Sequence, residues 1–200
     1  MNDHKRRTTR DAAGVTVGVM AGHWRETPTY PAIRAKGSRS EAILSVAGRQ
    51  RRLIRRDQLV ALGLGASAIS ERVRRDVLFV VYPRVYAIHP RPYPQPQRRL
   101  AATYSCGPHS MISDLTAAAH LGLTEVQVPT IHLMVDCGAG RRVPGLTVHR
   151  RAIDPRDRWR VDGIPCTSAA RTIVDCAHAL GLEGTERLIM AADSLGKLNR

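Results

Sequence analysis

The sequence predicts an α+β protein, an N-terminal winged helix-turn-helix followed by a small mixed α/β domain. Three observations carry this expectation. Two short helical runs between Arg56 and Arg75 meet at a glycine-containing turn and lead into a β-hairpin signal. A proline-dense stretch then interrupts all periodicity. Beyond it, strand-like and helix-like patterns alternate to the end of the chain, and 200 residues suffice for two small cores.

Residues 1–39 are rich in Arg, Thr, Gly and Pro, show no sustained period, and read as a disordered basic arm. Ala12–Gly22 is mildly apolar but has no Leu, Ile or Phe and no small-residue cleavage site, unlike a signal peptide. No window approaches the roughly 18 apolar residues of a membrane span. The arm either adds phosphate contacts or is an extension without a role.

The winged helix spans residues 40–89. Ser40 is placed to cap a helix over Glu41–Gln50, with Ile43, Val46, Ala47 and Gln50 on one face. Arg56–Leu62 is a short amphipathic run, broken by Gly63-Leu64-Gly65. Ala66–Arg75 resumes helical spacing, with Ile69 and Val73 inward and Ser67, Glu71, Arg74 and Arg75 on the opposite side. Val77–Val81 and Val85–Ile88 flank Tyr82-Pro83-Arg84 as a hairpin. In a helix-turn-helix the second helix enters the major groove. The DNA-contacting set is therefore Ser67, Ser70, Glu71, Arg72, Arg74 and Arg75, with Arg84 at the turn of the wing.

Pro90–Pro96 holds four prolines in seven residues, and 90–97 reads as a stiff linker. In the C-terminal domain, 98–200, Gln97–Cys106 and Leu115–Leu121 have helical spacing, the latter capped by Ser113 or Asp114. Ile131–Val135 and Leu146–His149 read as the strands of a hairpin joined by Asp136–Gly145. Arg141, Arg142, Arg150 and Arg151 make that hairpin a secondary basic surface, a further DNA contact or a solvated face. Asp162-Gly163 suits the positive φ angles of a type I′ turn between Trp159–Val161 and Ile164–Thr167. Ala169–Leu180, with Ile173, Val174, Ala177 and Leu180 as its inner stripe, ends at Gly181. Glu183–Leu195 follows, striped by Leu188, Ile189, Ala192 and Leu195.

Lys and Arg number 31 against 17 Asp and Glu, a formal net charge of +14. That excess favours a polyanionic partner, double-stranded DNA, through phosphate neutralisation and counterion release. The four cysteines contain no C-x-x-C pair and the eight histidines no H-x-x-x-H, so neither metal nor cofactor is expected. Reduced thiols, and hence a cytoplasmic location, fit a chain without a secretion signal. No nucleophile elbow, Walker loop or zincin motif is present, and no enzyme activity is expected.

Val161-Asp162-Gly163-Ile164-Pro165-Cys166-Thr167-Ser168-Ala169-Ala170-Arg171-Thr172-Ile173-Val174-Asp175 resembles the DGIPVTxxxRTLLDL segment of the AbiEi antitoxin family of type IV toxin–antitoxin systems. Arg56–Leu64 resembles that family's helix-turn-helix entry, Val81–Ile88 its RGVYAV wing, and Gly145–Arg150 its GLRVHR strand. These pieces fall in order from about residue 42 to residue 195. The resemblance implies an autorepressor whose winged helix binds its own promoter and whose C-terminal domain opposes a nucleotidyltransferase-like toxin. Many relatives append a restriction-endonuclease-like domain, and the alternative implied is a protein-binding module or a nuclease-lacking remnant of such a fusion.

The chain departs from the family at several places. Arg55 stands where a capping Thr is usual, Arg84 replaces the turn glycine, and Ser113-Asp114-Leu115-Thr116-Ala117-Ala118 lacks the His-Arg pair of SHRSAA. Arg171 and Asp175, at i and i+4, are expected to form a weak surface pair. Arg171 is then either docked on backbone carbonyls of the Trp159–Thr167 hairpin or a partner contact.

Overall fold

A computed structural model describes residues 38–136 and 143–198, and the backbone of two short antiparallel strands, β1 (Thr9–Arg10) and β2 (Thr16–Val17). The expected disordered arm otherwise lies outside the described residues; at β1 and β2 the chain pairs as strand instead. Helices combine with parallel and antiparallel strands in an α+β protein of two compact units, Glu26–Pro108 and one containing His109–Arg200. No helix among the described residues is long and apolar enough to cross a membrane.

The first unit begins with α1 (Arg39–Gly48). Its cap is Ser38, two residues before the expected Ser40. Glu41 N–H donates to Ser38 Oγ at 3.3 Å, and Ser38 N–H donates back to Glu41 Oε2 at 2.8 Å. This reciprocal box satisfies two orphan donors, which a cap at Ser40 would not do with Ile43 at its third position. β3 (Leu53–Arg55) leads into α2 (Arg56–Ala61). Arg55 has no acceptor to cap that helix, but Gln58 Oε1 accepts the Arg55 N–H at 3.0 Å.

The turn after α2 is closed by two hydrogen bonds, Gly63 N–H to Val60 O at 2.8 Å and Leu64 N–H to Leu59 O at 3.0 Å. This Schellman pattern needs a left-handed residue at Gly63, whose φ is 80°. It buries Leu64 beneath the turn and points the chain into α3 (Ala66–Arg74). Ile43, Ala47, Ile54, Leu59, Leu64, Ile69 and Leu78 form one core under the three helices. The amphipathic spacing of α1–α3 exists to fill it.

β4 (Phe79–Tyr82) and β5 (Val85–Ala87) complete a sheet of order β3-β5-β4. The unit then takes α4 (Gln95–Cys106), which packs against all three strands. The boundary expected at residues 97/98 therefore lies one helix too early. Pro96 does not prevent α4 from starting inside the proline stretch, because the first helical turn has no intrahelical use for its N–H.

The second unit holds a mixed sheet of order β8-β7-β6-β10-β9. Its strands are β6 (Ser110–Ile112), β7 (Ile131–Val135), β8 (Leu146–Arg150), β9 (Arg158–Val161) and β10 (Ile164–Thr167). β6 is central, yet three residues show no period, and it goes unannounced in the sequence. β7 and β8 are parallel, His132 opposite Thr147 and Met134 opposite His149, so the expected hairpin is corrected. β8 starts beside the start of β7, Leu146 opposite Ile131, instead of beside its end. Asp162 and Gly163, with φ of 48° and 77°, make the expected tight turn of β9–β10.

α5 (Asp114–His120) packs on β7 and β10, and α6 (Ala169–Ser194) packs on α5. α6 is two helices meeting at Gly181, whose φ of 65° and ψ of −171° break the spiral where the sequence placed the end. The inner face differs from the expected stripe. Thr172, Ile173, Cys176, Leu188 and Ala192 are buried, whereas Val174 is 70% exposed and Ile189 43%.

Candidate functional site

α3 meets the solvent along the face that the spacing assigns to it. Ser67, Ser70, Arg74 and Arg75 are exposed, with Glu71 and Arg72 half-buried. The charges on this face are coupled. Glu71 pairs with Arg74 one turn on, and its other oxygen lies 2.5 Å from Arg75 Nε. Arg72 Nη1 donates to Ala68 O at 3.1 Å. One carboxylate thus holds two guanidiniums in a fixed array at the helix C-terminus, where the helix dipole also favours cations.

The segment around α3 is far more basic than the C-terminal unit. Residues 38–108 contain 13 arginines and four acidic residues, net +9, whereas 109–200 contain 11 basic and 10 acidic residues, net +1. Two of the 13 are structural. Arg55 is buried, bonds Asp57 through Nε at 2.9 Å and lies 5.1 Å from the centre of the Tyr104 ring; Arg99 is buried in α4. Burial raises the Asp57 pKa, but the Arg55 guanidinium outweighs this and holds the carboxyl below its ordinary value.

The β4–β5 turn is Pro83-Arg84, with Tyr82 paired to Val85. It is held on two sides, by Arg56 N–H to Arg84 O at 2.8 Å and Ser105 Oγ to Pro83 O at 3.0 Å. Pro at the first central position and a positive φ at the second are the marks of a type II turn. Arg84, with φ 67°, occupies the place glycine would fill without strain, and its side chain is exposed. Arg84→Gly should therefore keep or raise stability, by up to ~1 kcal/mol, while removing a cation from the turn. A lowered melting temperature would show that the guanidinium carries a stabilising contact.

The secondary basic surface is described only in part. Arg141 and Arg142 lie outside the described residues, and Arg150 is exposed at the end of β8. Arg151 is committed elsewhere: its Nη1 donates to Asp175 Oδ1 at 2.9 Å. Arg171 Nε also donates to Asp175, at 3.0 and 3.1 Å, which gives the expected i,i+4 pair. The pair is not a surface one, because the Asp175 side chain is 1% exposed. Nor does Arg171 dock on hairpin carbonyls; its Nη1 stands 3.8 Å from Asp157 Oδ2. Asp157 in turn accepts Ser168 Oγ at 2.9 Å, and Ser168 caps α6. Thr167 and Thr172 hydroxyls meet at 2.7 Å in the same buried layer. The DGIP–RT–D segment is thus a polar lock fastening α6 to the sheet.

A second constellation went unseen in the sequence. Asp114, His132 and His149 place their ligating atoms within 4.8 Å of one another. The two rings stack with centroids 5.7 Å apart, and Asp114 is held in the left-handed region at φ 51°. Burial lowers the pKa of His132, His149 lowers it further and Asp114 opposes both. Since the three residues sit on a helix start and two separate strands, no short motif could have announced them.

Cys106, Cys166 and Cys176 are free and buried, and burial pushes their thiols up to about 11, 12 and 12. Thiolates are the reactive form. A thiol-modifying disulfide reagent at pH 8 should leave these three unlabelled until denaturant is added; rapid labelling of any of them in the native protein would contradict the burial.

No protein-family model matches the chain, and no curated protein matches it. Among solved structures, the crystal structure of the RV2827C protein from Mycobacterium tuberculosis is similar at 18% identity and a TM-score of 0.47, over 84% of this chain and 70% of that one.

Proposed function

We propose that the chain is a DNA-binding transcriptional regulator in which Glu26–Pro108 acts as a winged helix-turn-helix and α3 as its recognition helix. The observation that carries this reading is the concentration of charge. A net +9 lies within 38–108, on a unit whose α3 carries Arg72, half-buried, and Arg74 and Arg75, both exposed. Three helices and a three-stranded sheet in the order α1-β3-α2-α3-β4-β5 are the parts such a domain requires. Ser67 and Ser70 on the first two turns of α3 would reach base edges, while the arginines and Arg84 would neutralise phosphates.

The resemblance to AbiEi antitoxins gives the regulator its proposed target, its own promoter, and gives the C-terminal unit a proposed partner, a nucleotidyltransferase-like toxin. A mobility-shift titration with the duplex upstream of the gene tests the first. Contact through the four arginines would give a log–log salt slope of about −3.6, or −0.9 per phosphate. Absence of a shift, or a flat salt dependence, would turn the reading to the second possibility. That is a protein-binding module, favoured by Leu182, Met190 and Val174, which are 79%, 72% and 70% exposed on α6.

A further inference from the structure

We propose that Asp114, His132 and His149 form a divalent-metal site that takes zinc. The site is independent of the DNA-binding reading and lies in the other unit. His149 Nε2 is 3.4 Å from His132 Nδ1 and 3.7 Å from Asp114 Oδ2. Zinc bonds of 2.0–2.2 Å at tetrahedral angles place neighbouring donors about 3.3–3.6 Å apart. Two of the three separations are therefore already at or near the spacing of a bound ion. The third is within 4.8 Å, and it is the separation that an ion would have to draw in. Two imidazoles and a carboxylate suit zinc better than the harder magnesium or calcium.

The ligands stand on supported backbone. Ser113 N–H donates to His132 O at 3.1 Å, and His132 N–H donates to Thr116 Oγ1 at 2.9 Å, so β7 is tied to the start of α5. Ser113 Oγ donates to Asp114 Oδ2 at 2.5 Å, orienting the carboxylate as outer-shell groups do at metal centres. All three side chains are partly buried, which limits competition by bulk water while leaving a path of entry. An ion here would join the β6–α5 junction to β7 and to the edge strand β8, with one tetrahedral position left open.

The test is calorimetric titration of zinc into the tag-free, chelator-treated full chain, with cobalt(II) as a spectroscopic probe. One zinc per chain is expected, and zinc at about 100 times its Kd should raise the melting temperature of this unit by about 10 °C. Cobalt should give visible ligand-field bands without a near-ultraviolet thiolate band. Asp114→Asn preserves a residue that accepts positive φ, and His149→Ala alters an edge strand. Each should cost more than about 100-fold in zinc affinity while melting in the absence of metal stays close to that of the parent. No binding by the parent chain would overturn the proposal, leaving a hydrogen-bonded Asp-His-His chain. Undiminished binding by both variants, or a thiolate band, would equally overturn it by placing the metal on other residues.

Discussion

Replacing Arg74 and Arg75 together with alanine should weaken promoter binding by roughly 10- to 100-fold and make the salt slope shallower by about 1.8. Both side chains are exposed and neither enters the core, so the fold should persist with an unchanged melting temperature. Glu71→Gln supplies the opposite arm. It removes the carboxylate that now neutralises both guanidiniums, so it should raise affinity and steepen the salt dependence. A double alanine variant that binds DNA as tightly as the parent would show that α3 is not the reading element.

Asp175→Ala should lower the melting temperature of the C-terminal unit by about 10 °C or more. The carboxylate is 1% exposed and satisfies both Arg171 and Arg151, at 3.0 and 2.9 Å. Breaking a buried pair of this kind costs about 3 kcal/mol, and ~1 kcal/mol moves a unit of this size by several degrees. The partners differ in a way that orders the single variants. Arg171→Ala leaves Asp175 still paired with Arg151, and should cost less than Asp175→Ala. Arg151, 53% exposed, should cost least. Thermal unfolding of the three variants checks the order; equal small losses would mean that the cluster is not what fastens α6 to the sheet.

Much of the first unit is legible in the sequence because its determinants are local. The turn of Leu62-Gly63-Leu64 can be read from one glycine and two flanking leucines, since the Schellman bonds run between residues only three and five apart. The outward arginines of α3 follow from the 3.6-residue period alone. What failed there depended on choosing among equivalent local signals. Ser38 and Ser40 are equally good caps in composition, and only the glutamate three residues after Ser38 separates them. Four prolines in seven residues read as a linker, whereas α4 starts at Gln95 and Pro96 sits in the one helical turn that accepts it.

The second unit was less legible, for the same physical reason in reverse. Parallel or antiparallel pairing of β7 and β8 is a property of the path between them, not of their side chains, which alternate alike in either case. The Asp175 cluster depends on Arg151, 24 residues away, arriving at the start of α6. A pair that is weak on an exposed helix becomes a structural lock when the sheet excludes water from it. The Asp114, His132 and His149 constellation is likewise assembled by strand order alone.

By itself the sequence determined the α+β composition, the α2–turn–α3 pair with its basic outer face, the Asp162-Gly163 turn and the break at Gly181. Each rests on local backbone preference or on helical period, which act within a few residues. Only the tertiary structure decided the parallel pairing of β7 with β8, the central place of β6, the burial of Asp175 and the meeting of Asp114 with His132 and His149. Those depend on which distant segments share a sheet, and the free energy that selects among pairings is burial of a common core, a quantity no single stretch of the chain contains.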